Sequence, residues 1–353
     1  MKNSNNILRR PSLFRQYELS AYGICRKLSI IHYPIMLLLL ATSLTSCQKE
    51  LCYDHSHGEG HQPLTVRFDW SSATDASPSE MSLMVFAGTS QPVRFQFAGK
   101  SGGALSLAAG NYRFIGFNSD MEMAWQGNTW NEFEIYSQST TLNTFSRMFA
   151  TTRNVPKTRG TEGQDVIYEP DALWTSAAAG VEMSEQTYGQ TVRMPMQEAT
   201  YVYTFTVNDV DNLSHVSAVT ATLSGMSKGW LPAAGMPSDN EAIIPFVMEK
   251  TADGGSTLKG AVRTFGHCPD HGVDDLYDHF LVLYCEMDNG ARYYYTYDVS
   301  DAMHDDDHLI DGTGETEVPI VLEGLPLPNA ITNGSGFQPD VTVWNEVNIG
   351  IDL

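Results

Sequence analysis

Long apolar runs are scarce in this 353-residue chain. The most hydrophobic stretch, "IMLLLLATSL" from Ile35 to Leu44, is about ten residues long, too short to cross a hydrocarbon core as a helix. Cationic side chains are also few, with 21 Lys and Arg against 42 Asp and Glu and a formal charge of −21. That balance argues against nucleic acid as a partner, and against binding an anionic membrane face through protein charge. Catalytic signatures are missing: there is no "GxSxG" elbow, no "HExxH", no phosphate loop and no dinucleotide fingerprint, so the expectation is a non-enzyme. An amphipathic helix of useful length is missing as well, which leaves strands to build the fold.

What is present begins with an export signal. Arg26 and Lys27 precede the apolar run, and a run of that length suits the h-region of a signal peptide. It leads into Leu44, Thr45, Ser46 and Cys47, a leucine, two small residues and a cysteine, the form of a bacterial lipoprotein cleavage box. Residues 1–46 are thus expected to be removed and Cys47 to carry a covalent lipid. The leader is long for such a signal, which a start assigned too far upstream explains. The chain from Cys47 onward has 15 basic and 41 acidic side chains, a formal charge of −26, so lipid and not protein charge must do the anchoring. Of the five cysteines, Cys25 leaves with the leader and Cys47 is acylated. Cys52, Cys268 and Cys285 remain, and Cys268–Cys285 is a candidate disulfide, with two buried thiols as the alternative.

Residues 47–62 read as a lipidated tether, "CQKELCYDHSHGEGHQ". Asp54, His55, His57 and His61 are ligand types suited to a metal such as zinc, although no second spaced pair accompanies them. Gly58 and Gly60 leave them on flexible chain that must lose conformational entropy to coordinate. Two later polar clusters raise the same question. "GHCPDHGVDDLYDH" gathers His267, Cys268, Asp270, His271, Asp274, Asp275 and His279 as a candidate zinc site. "DAMHDDDHLIDGTGE" gathers His304, Asp305, Asp306, Asp307, His308 and Asp311, with Asp305, Asp307 and Asp311 as oxygen donors for calcium. A charged run between strands is more often a solvated loop, and no metal or cofactor other than the lipid is required by the sequence.

Between these clusters the chain reads as strands. "LTVRFDW", "MSLMVFAG", "VRFQFAG" and "ALSLAAGNYRFIGFN" are short, β-rich and punctuated by Gly, Pro, Ser and Asn. They predict a β-sandwich over 63–150, with a hairpin turn at Gly110 and Asn111. Residues 151–199 are polar at first and read as a connecting segment, in which "EPDALW" could start a helical turn. Seven further strand candidates, the first being "TVRMPMQEATYVYTFTVND" over 191–209, predict a second sandwich over 200–353, with a tight turn at Asp288, Asn289 and Gly290. The final strand could close its own sheet or extend another molecule's.

The order of the lipobox, "CYDHSH", "VRFDW", "AGNYRFIGFN", "PDALW" and "ATLSGM" resembles the fimbrillin-like lipoproteins of Bacteroidales, which are similar to anchor and accessory (minor fimbrial) subunits of type V pili. The resemblance implies an all-β fold of two tandem transthyretin-like, Greek-key β-sandwiches. It also implies a lipid-anchored place at the outer membrane, facing the cell exterior. The partners it implies are other fimbrial subunits, or a host or bacterial surface ligand, engaged by strand complementation. Gln48, Lys49 and Glu50 after the lipidated cysteine resemble a surface-export signal. Polymerising stalk subunits are matured by an arginine-specific protease near the start of the first domain. Here the candidate protease-sensitive residue, Arg159, lies at the domain join, which favours an anchor or tip component. The alternative is a glycan-binding surface lipoprotein in which Trp125, Trp130 or Trp230 stacks on sugar rings, and a metal-binding surface lipoprotein is a third reading.

Overall fold

The computed structural model describes residues 60–145, 155–252, 255–269, 279–304, 317–328 and 344–348. Strict alternation builds the first strand, β1 (His61–Asp69), where Leu64, Val66 and Phe68 are buried and Thr65 and Arg67 are exposed. The strands that follow are β2 (Glu80–Phe86), β3 (Val93–Ala98), β4 (Gly102–Ala108), β5 (Gly110–Asn118), β6 (Ala124–Gln126) and β7 (Glu134–Tyr136). Next come β8 (Asp165–Val166), β9 (Trp174–Met183), β10 (Thr191–Pro195) and β11 (Gln197–Glu198). The second half holds β12 (Tyr201–Val210), β13 (Val216–Ser227), β14 (Gly229–Leu231), β15 (Met236–Pro237) and β16 (Glu241–Lys250). It is completed by β17 (Leu258–Thr264), β18 (Phe280–Met287), β19 (Arg292–Asp298), β20 (Glu317–Leu325) and β21 (Asn345–Asn348).

In the first sandwich a three-stranded sheet, β10-β1-β4, packs on a five-stranded sheet, β11-β9-β5-β2-β3. The two sheets meet where β5 has Gly116: a Cβ there would come within 2.7 Å of the Phe68 ring. Phe68 in turn packs edge-on against Phe97, with centroids 5.8 Å apart. The opposite face of the five-stranded sheet is also covered. Met84, Phe86, Ile115 and Phe117 pack with Phe133, just before β7, and with Ile135 and Trp230 of a small sheet, β15-β14-β7-β6. Burial on both faces explains why "EMSLMVF" in β2 is buried almost throughout and does not alternate.

The second sandwich is one nine-stranded sheet folded over its own core, in the order β20-β12-β17-β16-β13-β18-β19-β21 with β8 beside β16. β16 turns the corner: residues 241–247 pair with β13, and Met248, Glu249 and Lys250 pair with β17. Phe205 of β12 and Phe246 of β16 stack in the core at 5.5 Å. Tyr295 and Tyr297 cross it to donate their hydroxyls to the carbonyls of Pro326 and Gly324. The turn at Asp288–Gly290 is as expected. Gly290 has φ +81°, its amide donates to Met287 O at 2.9 Å, and the Asn289 side chain accepts from Ala291 N. The strands it joins place Glu286 opposite Arg292 as a buried ion pair at 3.1 Å. No helix of the described residues is long and apolar enough to cross a membrane.

Several expectations are corrected. The described part of the expected 151–199 connecting segment, residues 155–199, contributes strands to the sheets. β9 lies between β5 and β11, β10 runs parallel to β1, and the turn before β8 docks on the second sandwich, where Tyr284 donates to Pro156 O at 2.7 Å. The small sheet takes β6 and β7 from before the expected join and β14 and β15 from after it, so the two halves are interleaved. "AAGNYRF" is not a hairpin: β4 pairs with β1, whereas β5 pairs with β2 and β9, so the chain changes sheet at Ala109. "EPDALW" forms no helical turn, and Trp174 opens β9. Cys268 and Cys285 are both buried and not joined by a disulfide. Cys268 N bonds Gly225 O, whereas Cys285 pairs with Val219 farther along the same strand. That spacing is roughly 20 Å of strand, well beyond the reach of a bridge.

Candidate functional site

Strand direction decides which polar residues meet. β17 and β19 run toward one end of the second sandwich and β18 leaves from it, so the segment after β17, the residue before β18 and the turn after β19 share that end. They carry His267, His279 and His304. Their candidate ligand atoms all lie within 4.8 Å of one another, which makes this the one group of its kind among the described residues. The three ring centroids are separated by 4.5, 4.9 and 4.9 Å.

Each ring is held from behind. His279 is fully buried directly before β18, and its Nδ1 lies 3.0 Å from the carbonyl oxygen of Ser224 in β13. A carbonyl only accepts, so Nδ1 carries the proton and Nε2 presents a lone pair. That Nε2 faces His304 Nε2 at 3.1 Å. His267 Nε2 lies 2.8 Å from the hydroxyl of Tyr203 in β12. Burial raises the Tyr203 phenol well above its ordinary pKa, so it remains neutral and able to accept. His267 is fixed to the opposite layer by its bridge to Met226, one residue after the positive-φ Gly266. His304 ends the helical turn Ser300–Met303, whose Ser300 Oγ accepts from His279 N at 3.1 Å while Val299 N donates to His279 O at 2.9 Å. His304 is exposed, His267 half-buried and His279 buried, so the cluster opens to solvent on one side.

The trio takes the two ends of the first polar cluster and the head of the second. Cys268 points into the interior and is not one of the group. Asp270, His271, Asp274, Asp275, Asp305, Asp306, Asp307, His308 and Asp311 lie outside the described residues. So do Cys47, Gln48, Lys49, Glu50, Asp54, His55 and His57. His61 is described, and is exposed at the start of β1. The sequence marked both polar clusters but did not join them. The missing signal was that each of the three histidines sits at a strand end, and always at the same end.

The remaining candidates are arranged for packing. Arg159 is exposed beside Gly160 in a turn closed by Thr161 N to Thr158 O at 3.3 Å. Trp230 is buried, Trp130 lies edge-on to Phe86 at 5.9 Å, and only Trp125 is exposed, with the Arg94 guanidinium 4.4 Å over its ring. These three indoles form no shared open platform for a sugar. An open cleft of about 790 Å³ between the halves is rimmed by Glu122, Glu169 and Asp171. Two of those carboxylates are occupied locally, Asp171 by Glu122 N and Glu169 by Arg263 N.

The fold has known relatives. A crystal structure from Bacteroides ovatus ATCC 8483, described as "a putative adhesin", superposes with a TM-score of 0.55 at 17% identity, over 82% of this chain and 93% of that one. A second "putative adhesin" from Bacteroides ovatus gives 0.46 at 12% identity, over 76% and 89%. The fimbrial anchor protein Mfa2 from Porphyromonas gingivalis gives 0.45 at 13% identity, over 74% and 90%. No curated protein matches in sequence. Residues 46–247, more than half of the chain, match the family described as "Domain of unknown function (DUF5119)"; the chain belongs to this family.

Proposed function

We propose that this protein is a cell-surface lipoprotein serving as an anchor, tip or accessory subunit of a fimbria-like fibre, or as an adhesin. The observation that carries the reading is the fold shared with the Bacteroides ovatus adhesin structure across nearly its whole length. The lipobox ending at Cys47 supports attachment to the outer membrane through lipid, and the net acidity is consistent with lipid as the sole anchor. Other fimbrial subunits or a surface ligand are the partners this implies. Among the described residues, β20 and β21 lie at the two edges of the sheet of the second sandwich. Four residues of β21 pair in parallel with β19, so the described part of the last strand closes its own sheet. An edge strand is where an incoming strand would add to the ladder, with side chains at alternate positions setting register.

The test is carried out in the native bacterium. Protease shaving of intact cells should remove the protein, metabolic labelling with a fatty acid should mark it, and a Cys47→Ala variant should lose the label and leave the membrane fraction. Co-sedimentation with sheared surface fibres supports the fibre role. Failure to sediment, combined with binding of purified protein to host or bacterial surfaces, leaves the adhesin role. A protein that shaving does not reach sinks both.

A further inference from the structure

We propose that His267, His279 and His304 form a binding site for a divalent transition-metal ion of the zinc class, which clamps one end of the second sandwich. Three imidazoles are nitrogen donors of borderline softness, suited to Zn²⁺ and its neighbours and not to the oxygen-seeking Ca²⁺ or Mg²⁺. Zn–N bonds of about 2.0–2.1 Å in a tetrahedral site put neighbouring ligand nitrogens roughly 3.3 Å apart. His279 Nε2 and His304 Nε2, at 3.1 Å, already have that separation. The widest ligand-atom spacing in the trio is at most 4.8 Å, so closing the site asks one ring to swing inward by about 1.5 Å.

The supporting contacts are those of a ligand set. A metal-bound histidine ordinarily donates its other ring nitrogen to a carbonyl, carboxylate or similar acceptor, which fixes the tautomer and aims the coordinating lone pair. His279 does so through Ser224 O, and His267 is held through Tyr203 Oη. The backbone bonds of Val299 and Ser300 to His279 set the turn that delivers His304. The three histidines fill three positions of a tetrahedral site, and the exposed flank at His304 gives the ion an entrance. Since the three histidines follow or precede three different strands, the ion would link segments with no covalent tie between them, as a disulfide does elsewhere.

The experiment is isothermal titration of the full chain with ZnCl₂, purified without a histidine tag and stripped with EDTA, together with thermal melts with and without the ion. The expected result is one high-affinity Zn²⁺ per chain and a higher Tm in its presence. His304→Ala changes an exposed side chain and should keep the apo melt. Its zinc affinity should fall at least tenfold, and the zinc-dependent rise in Tm should disappear; His304→Asn gives a second reading at the same position. A His55→Ala, His57→Ala, His61→Ala triple variant should bind zinc at this site as the parent does. No uptake by the parent at micromolar zinc, parental affinity in both His304 variants, or loss of binding in the triple variant would each overturn the site.

Discussion

Glu286 and Arg292 face each other at the end of the β18–β19 hairpin with both side chains buried, and Arg292 also lies 5.8 Å from the Trp344 ring. Removing the cation strands the Glu286 carboxylate in the interior, so Arg292→Met should lower unfolding free energy by about 3–5 kcal/mol in urea melts. A Glu286→Leu, Arg292→Met double variant should recover most of that loss, since no buried carboxylate is then left without its counter-ion. The Asp165–Lys228 pair, 2.5 Å apart, is weaker because the carboxylate is more than half exposed. The hydrogen bond from Lys228 holds the Asp165 carboxyl below its usual range, and burial only partly opposes it. A depressed folded-state pKa gives stability above the unfolded pKa, and that stability is lost as pH falls through the folded value. Asp165→Asn should therefore be less stable than the parent by about 0.2–1 kcal/mol at neutral pH, with the gap closing below about pH 4. Thermal melts across pH would read this, and a gap that widens toward acid would contradict it. At this scale the turn at Asp288, Asn289 and Gly290 was legible, because its chemistry lies within a few residues. The fate of Cys268 and Cys285 was not, because it depends on where each falls along β13.

Among the elements, β5 depends on a missing side chain. A Cβ at Gly116 would meet Phe68 at 2.7 Å and the Met194 methyl at 3.3 Å, both from the facing sheet. Gly116→Val should cost about 1–3 kcal/mol through overpacking, and pairing it with Phe68→Leu should return part of the loss. Equilibrium urea unfolding checks both, and a neutral single variant would mean that the sheets slide apart freely. Most long strands were visible in the sequence as β-branched and aromatic runs. β9 was not: "WTSAAAGVEM" is rich in Ala and Gly, and its strand character comes from its place between β5 and β11. The short strands β6, β7, β14 and β15 carry too few residues for a periodic signal and exist by pairing with one another.

For the whole molecule, interleaving means that the halves share structure. Strands 174–198 complete sheets begun by residues 61–118, and Trp230 of β14 fills the same core as Phe86 and Phe117. Calorimetry should therefore show one cooperative transition for the described halves, where loosely linked sandwiches would show two. Cleavage after Arg159, in its exposed turn, should leave two fragments that co-elute under native conditions, because β9 and β10 lie beyond the cut while their partners β5 and β1 precede it. Fragments that separate in native size exclusion would show that the shared sheets do not hold.

Composition and short-range pattern by themselves determined an all-β chain, the position of most long strands and one hairpin turn. Each of these is set by neighbouring residues, through propensity, side-chain alternation or the local needs of a turn. Only tertiary structure decided that β4 and β5 part to different sheets, that the presumed connector supplies strands to the first sandwich, and that His267, His279 and His304 converge. Those outcomes depend on strand order and direction across the sheet, and pairing between distant segments leaves no mark on either segment alone.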